Sequence, residues 1–144
     1  MKKTTLRGVA TISFWADDVE VAKKWYAEFL DVEPYFQREY NGKLAYVEFR
    51  LGDYQQELGI ISSQFKPKMA NATIGGAVLY WHVENLATTI DKLKRMGATE
   101  YEPVTPRGEG FITASLVDPF GNILGIMYNP HYVEMLFDKL EAQN

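Results

Sequence analysis

Cysteine is absent from the 144 residues. That excludes a disulfide framework, a thiolate zinc site and a cysteine nucleophile. Histidine is nearly absent, with only His82 and His131. Neither forms an i, i+4 pair with another ligand type, so no helical metal motif is present. His131 follows Pro130 and is expected on a helix surface. No stretch approaches the roughly 18 apolar residues of a membrane span. The basic start Met1-Lys2-Lys3-Thr4-Thr5-Leu6-Arg7-Gly8 has no apolar segment of its own, so no signal peptide is expected there. Lys and Arg nowhere form a run, and the net charge is −4 with a pI near 5.2. Lys92, Lys94 and Arg95 read as the solvated face of one helix. Nucleic acid needs a basic face, so it is not an expected partner, and neither is a membrane. The expectation is a soluble cytoplasmic protein.

What is present is a globular composition, 47% hydrophobic and 24% charged. The length suits one domain. Aromatic residues make up 14% of the chain. Two uses compete for them, a well-packed core and an aromatic-lined ligand cup.

The chain reads as two copies of one unit. Val9 to Ala16 is a strand with Ala10, Ile12, Phe14 and Ala16 on one face and Thr11, Ser13 and Trp15 on the other. Asp17-Asp18 then caps a helix, with Glu20 as a capping-box partner for Asp17. Val19, Ala22, Trp25, Tyr26, Phe29 and Leu30 form its apolar stripe, and Pro34 stops it. The second unit opens with the strand Ala77 to Val83. Asn85 caps a helix with the stripe Leu86, Ile90, Leu93 and Met96, and Gly97 is the expected C-terminal cap. Trp15-Ala16-Asp17-Asp18-Val19 thus lines up with His82-Val83-Glu84-Asn85-Leu86. Leu58-Gly59-Ile60 lines up with Leu124-Gly125-Ile126. The two offsets differ by one residue, which points to an internal repeat.

Strand signals complete each unit. Leu44 to Leu51 and Gln56 to Ser62 flank a turn at Gly52-Asp53, and Gln37 to Tyr40 is a further strand ahead of Asn41-Gly42. Phe111 to Val117 and Asn122 to Tyr128 flank Asp118-Pro119-Phe120-Gly121, whose Asp, Pro and Gly stand where a type I turn prefers them. Tyr101 to Gly110, with two prolines and two glycines, reads as a loop. It is either a plain connection or a lid whose Arg107 meets an anionic ligand. A last helix starts at Pro130 with Asn129 as cap, and Val133, Leu136, Phe137 and Leu140 form its stripe. The fold class is α+β: two tandem βαβββ modules plus a short C-terminal helix. Module 1 covers about residues 6–62, a linker about 63–76, module 2 about 77–128 and the final helix about 130–142, within one domain over 1–144.

A doubled strand-helix-strand-strand-strand unit ending in Asp118-Pro119-Phe120-Gly121-Asn122-Ile123 resembles the vicinal oxygen chelate superfamily. That group includes glyoxalase I, extradiol dioxygenases and the bleomycin- and fosfomycin-resistance proteins. The pair Trp25-Tyr26 followed by Leu30 is similar to its aromatic pair before the helix end. The resemblance spans Leu6 to Tyr128. It implies a curved, cup-shaped mixed sheet with helices outside, and often a homodimer. It also places the metal ligands of metal-binding members at Thr11, Gly59, Val78 and Gly125. Here those positions offer two glycines, a valine and a threonine, a poor donor set. The implied member therefore lacks the usual metal ligands, no cofactor is expected, and a divalent metal would need a non-standard site.

If Thr11 and Val78 point into that cup, strand periodicity adds Ser13, Trp15, Tyr80 and His82. Glu57, Ile61, Ile123 and Met127 share a face with Gly59 and Gly125 on the closing strands. The two glycines are expected to leave room for a planar ligand against the backbone. The candidate ligand-binding set is Thr11, Ser13, Trp15, Glu57, Gly59, Val78, Tyr80, His82, Gly125 and Met127. Catalytic residues are not identified; Glu57 and His82 are the candidates. His82 has three readings: a structural hydrogen bond, a ligand contact or acid–base catalysis. Glu57 is either wet at the rim or paired within the cup. The first functional expectation is a metal-independent binder of a small aromatic or amphipathic molecule. The alternative is a metal-dependent lyase, isomerase or dioxygenase with a non-standard metal site.

Overall fold

The computed structural model describes residues 4–68, 70 and 73–144. The expectations placed on Met1-Lys2-Lys3 and on positions 69, 71 and 72 of the linker lie outside the described residues. The chain divides after Lys68 into two compact units.

Unit 1 runs β1 (Thr11–Ala16), α1 (Val19–Leu30), β2 (Phe36–Tyr40), β3 (Lys43–Leu51) and β4 (Gln56–Ser62), then a short 3-10 turn at Ser63–Phe65. Its four strands form one mixed sheet in the order β1-β4-β3-β2. β1 is parallel to β4, and the other pairs are antiparallel. β1 begins at Thr11 rather than Val9, because its one ladder partner starts at the Thr11–Glu57 pair. Asp18 is the N-cap of α1, in extended backbone, and its carboxylate accepts from the Val21 N–H at 3.2 Å. Glu20 therefore sits in the first helical turn beside the cap, one place short of the capping-box position expected for it. The helix ends three residues before Pro34, where Asp31 turns left-handed at φ 57°. The stop is thus made by a C-cap rather than by proline.

Alternation along β3 builds the core of unit 1. Ala45, Val47, Phe49 and Leu51 are buried on one face, with Phe14, Ala16, Leu58 and Ile60 beside them. Val19, Ala22 and Tyr26 of α1 close over this face, and the Phe14 and Tyr26 rings lie 5.9 Å apart. Trp25, Phe29 and Leu30 complete the stripe half-buried. Each fully buried large side chain, such as Phe49 or Ile60, stabilises the unit by about 2 kcal/mol through area removed from water.

Unit 2 repeats the layout: β5 (Tyr80–His82), α2 (Leu86–Arg95), β6 (Thr99–Gly108), β7 (Phe111–Val117) and β8 (Ile123–Tyr128), then α3 (Pro130–Ala142). Its sheet order is β5-β8-β7-β6, with β5 parallel to β8. The fold is thus α+β, with two tandem βαβββ modules and a short C-terminal helix. β5 is shorter than the strand expected from Ala77 to Val83. Regular pairing covers only Tyr80 to His82, with one further bond at each end, Gly125 N–H to Leu79 O and Val83 N–H to Met127 O.

The segment expected to be a loop at Tyr101 to Gly110 is instead mostly strand β6. Pro103 and Pro106 cannot donate to a ladder, but β6 is an edge strand, where one side needs no donors. Three register shifts against β7 absorb the misfit. Gly108, Glu109 and Gly110 all take positive φ and form the turn.

The punctuation of unit 2 follows from its residues. Asn85 caps α2 by accepting from Thr88 N–H at 3.0 Å. Gly97, at φ 95°, ends it: Ala98 N–H reaches Leu93 O at 2.9 Å and Gly97 N–H reaches Lys94 O at 3.1 Å, the double bond of a Schellman motif. The Asp118 carboxylate is buried and accepts from Phe120 N–H, Asn122 N–H and the Asn122 side chain, all between 2.8 and 2.9 Å. Asn129 caps α3 through His131 and Tyr132 N–H, with Pro130 in the first turn.

Candidate functional site

The sheet of unit 1 keeps one face under α1 and carries a polar and aromatic set on the other. Register places Thr11, Ser13 and Trp15 of β1 on that second face, beside Glu57, Gly59 and Ile61 of β4. Tyr46, Glu48 and Arg50 of β3 stand next to them. Five candidates, Thr11, Ser13, Trp15, Glu57 and Gly59, are brought together here.

These groups hold one another. The Tyr46 hydroxyl donates to Glu48 Oε1 at 2.5 Å. Arg50 bridges to Glu57 at 3.2 Å and lies over the Tyr35 ring, 4.6 Å from its centre. Burial pushes the Glu48 carboxyl above its ordinary range, the Glu57 charge adds to this, and Arg50 pulls it back. Burial also raises the Tyr46 phenol, again with help from Glu57, while a hydrogen bond with Thr11 opposes the rise. Tyr46 therefore stays protonated near neutral pH and serves as a donor.

The room expected over Gly59 is already filled. A Cβ there would lie 2.6 Å from Tyr46 Oη and 2.8 Å from Tyr46 Cε2, so the glycine admits the tyrosine ring of its own sheet. The hollow lies further toward β2. It has a volume of about 350 Å³, with Phe36, Tyr40, Tyr46 and Phe65 as walls, Ile61 against β4, and Arg38 and Glu39 at its polar side. Phe36 meets Tyr46 edge-on at 6.2 Å, and Tyr40 meets Phe65 edge-on at 5.4 Å. A register shift between Arg38 and Glu39 lets both adjacent residues line the same space. A second hollow in unit 1, about 520 Å³, is lined by Asp17, Asp18, Glu20 and Lys43 among others and contains no aromatic wall.

The remaining candidates lie in unit 2. Tyr80 pairs with Gly125, and His82 with Met127. Val78 precedes β5 and is outside the strand. A Cβ on Gly125 would collide with the Leu79 carbonyl oxygen and lie 2.9 Å from Tyr80 Cδ1. This second glycine is also closed by its own chain. His82 Nδ1 accepts from the Asn129 N–H at 3.1 Å, and its ring stacks on Tyr132 at 4.7 Å and 16°. That is the structural reading of His82, with the Nδ1 lone pair engaged in holding the start of α3. The Met127 sulfur accepts from the Asn129 side chain at 3.8 Å. His131 is exposed and meets Phe111 edge-on. Arg107, a candidate for an anionic ligand, is bound to Glu102 at 2.9 Å and to the Thr113 hydroxyl at 3.1 Å. Ser115 is buried opposite Gly125 with a hydroxyl that has no partner.

Sequence reasoning missed the pocket walls Phe36, Tyr40, Tyr46 and Phe65, and the charges Arg38, Glu48 and Arg50. The signal for part of this set was present. β3 alternates strictly, and its non-core parity is Tyr46, Glu48, Arg50. Phe65 had no such signal, since it lies in the segment read as linker.

A model of the Glyoxalase/Bleomycin resistance protein/Dioxygenase superfamily matches residues 8–126. The chain belongs to this superfamily. Among solved structures it is similar to a glyoxalase-related enzyme from Fulvimarina pelagi, 21% identical with a TM-score of 0.68, covering 87% of this chain and 90% of that one. It is similar to a glyoxalase family protein from Enterococcus faecalis, 23% identical with a TM-score of 0.64, over 86% and 99% of the two chains. A glyoxalase/bleomycin resistance protein from Catenulispora acidiphila is 19% identical with a TM-score of 0.58, over 85% and 100%. At these identities the likeness establishes the fold. No curated protein matches the chain.

The superfamily's metal does not fit the four positions that the resemblance assigns to it. Gly59, Gly125 and Val78 bring no donor atom, and the two glycines are closed by Tyr46 and Leu79. Among the described residues no three His, Asp or Glu side chains gather as a metal would require. No helix among them is long and apolar enough to cross a membrane.

Proposed function

We propose that this superfamily member binds a small aromatic or amphipathic molecule without a metal, in the aromatic hollow of unit 1. The observation that supports it most is the set of four rings, Phe36, Tyr40, Tyr46 and Phe65, around about 350 Å³. This volume lies in the range of small-molecule sites, and apolar walls with few polar groups are their usual make-up. Phe36, Tyr40 and Phe65 are 41%, 50% and 43% exposed. A flat ligand would remove that area from water and gain edge or offset ring contacts. Sequestration of a toxic compound would be one use of such a site.

Thermal stability and intrinsic fluorescence across a panel of aromatic compounds test the reading. Trp15 is paired with the pocket residue Ile61 and serves as a local reporter. A ligand at 100 times its Kd should add about 2.7 kcal/mol of native-state stability. An unchanged melting temperature and spectrum across the panel would sink the proposal.

The second reading, a metal-dependent lyase, isomerase or dioxygenase with a non-standard site, would recruit Glu48 and Glu57. One is bound by Tyr46 and the other by Arg50. Elemental analysis of protein purified without chelators separates the two. Close to one equivalent of a transition metal favours the enzyme, and less than about a tenth favours the binder. A homodimer is the assembly we expect, with the exposed Met135, Phe137 and Leu140 of α3 as its apolar surface. Light scattering tests it.

A further inference from the structure

We infer that the ligand of the aromatic hollow carries an anionic group, so that the favoured class is an aryl carboxylate or similar flat anion; this rests on the binding reading above. Arg38 lines the hollow, and its guanidinium lies 5.7 Å from the centre of the Phe36 ring. Among the described residues it has no ion-pair partner. The other arginines of the sheet regions are engaged: Arg50 is held by Glu57 and Arg107 by Glu102. Arg38 is thus a cation left uncommitted at the edge of an apolar space.

The planar fork of an arginine matches a carboxylate with two parallel hydrogen bonds, and the contact with the Phe36 ring keeps the Arg38 guanidinium at the hollow. A ligand ring resting against the joined Tyr40 and Phe65 rings would share the hollow with that fork. Glu39 also lines the hollow and has no ion pair among the described residues. It opposes an anion through charge alone, and as an exposed side chain it can turn into solvent. Glu48 is occupied by the Tyr46 hydroxyl.

Isothermal titration with three probes of one shape tests the inference: 2-naphthoate, 2-naphthamide and (2-naphthyl)methylammonium, at low ionic strength. Naphthoate should bind at least about tenfold tighter than the amide, as a charge-assisted bidentate contact gives. Arg38→Gln should erase that preference, Arg38→Lys should keep part of it, and Glu39→Gln should tighten naphthoate a few-fold. Phe65→Ala should weaken naphthoate and amide together, which locates the site. Equal binding of naphthoate and amide, or tighter binding of the ammonium, would overturn the anion inference while leaving the pocket reading intact. A preference that survives Arg38→Gln would overturn it as well. Binding of none of the three would remove the pocket reading, and the inference with it.

Discussion

The two sheets place their strands in the same order and put a glycine at the same point of the closing strand, Gly59 in one and Gly125 in the other. What stands over that glycine differs. In unit 1 it is the far end of the Tyr46 side chain, which belongs to a hydrogen-bonded group of ionisable residues. In unit 2 it is the backbone of Leu79. A side chain can rotate away, whereas a backbone carbonyl in a ladder cannot. Unit 1 has thus retained an adaptable polar face beside an aromatic hollow. Unit 2 uses the equivalent ground, including His82 and Met127, to hold its own C-terminal helix. A common layout therefore leaves each module free to use its sheet differently.

Alanine at each glycine probes this contrast most strongly. Gly125→Ala should cost about 3 kcal/mol, because overpacking against backbone forces β5 off β8. Gly59→Ala should cost about 1 kcal/mol or less, since Tyr46 can swing aside. Urea denaturation of both variants measures it, and equal costs would refute the distinction. Next in size is His82→Ala. Loss of the acceptor for Asn129 N–H and of the Tyr132 stack should destabilise by about 2 kcal/mol. Ligand affinity in the Phe65 hollow should stay the same. A binding loss without a stability loss would return His82 to the ligand site.

The smallest effect concerns Glu48. Its carboxyl is raised by burial and by Glu57, so the folded state holds the proton more tightly than the unfolded state does. That contribution is complete below the ordinary carboxylate range and is lost as pH rises through the raised value. Glu48→Gln should thus gain stability relative to the wild type as pH moves from acid toward neutral, by a small amount because solvent screens the site. A gain in the opposite direction would show that the Tyr46 hydrogen bond outweighs burial and repulsion.

Much of the fold was legible because it is locally encoded. Asp18, Asn85 and Asn129 mark helix starts by supplying an oxygen to unpaired N–H groups, and Gly97 marks an end by taking a φ that side chains avoid. Asp118 sets its turn through contacts within four residues. The β6 segment misled because proline counts against a strand only if the strand is interior, and edge position is a property of the whole sheet. The site was less legible for a related reason. Thr11, Glu57 and Gly59 follow from alternation, but Tyr46 covering Gly59 depends on register between β3 and β4. The approach of Phe65 to Tyr40 depends on where a 3-10 turn folds back.

The bond from Asn129 N–H to His82 has a consequence for how α3 opens. Asn129 sits at the junction of β8 and α3, and its side chain caps the helix that its own N–H ties to β5. Beyond Leu136 every residue of α3 is exposed. Amide hydrogen exchange should therefore run as a gradient, fast from the C-terminal end and slow at the root, where Asn129 shares the protection of the sheet. The helix would then be lost in two steps, a fraying of its outer turns that leaves the sheet intact and a release of its root that takes β5 with it.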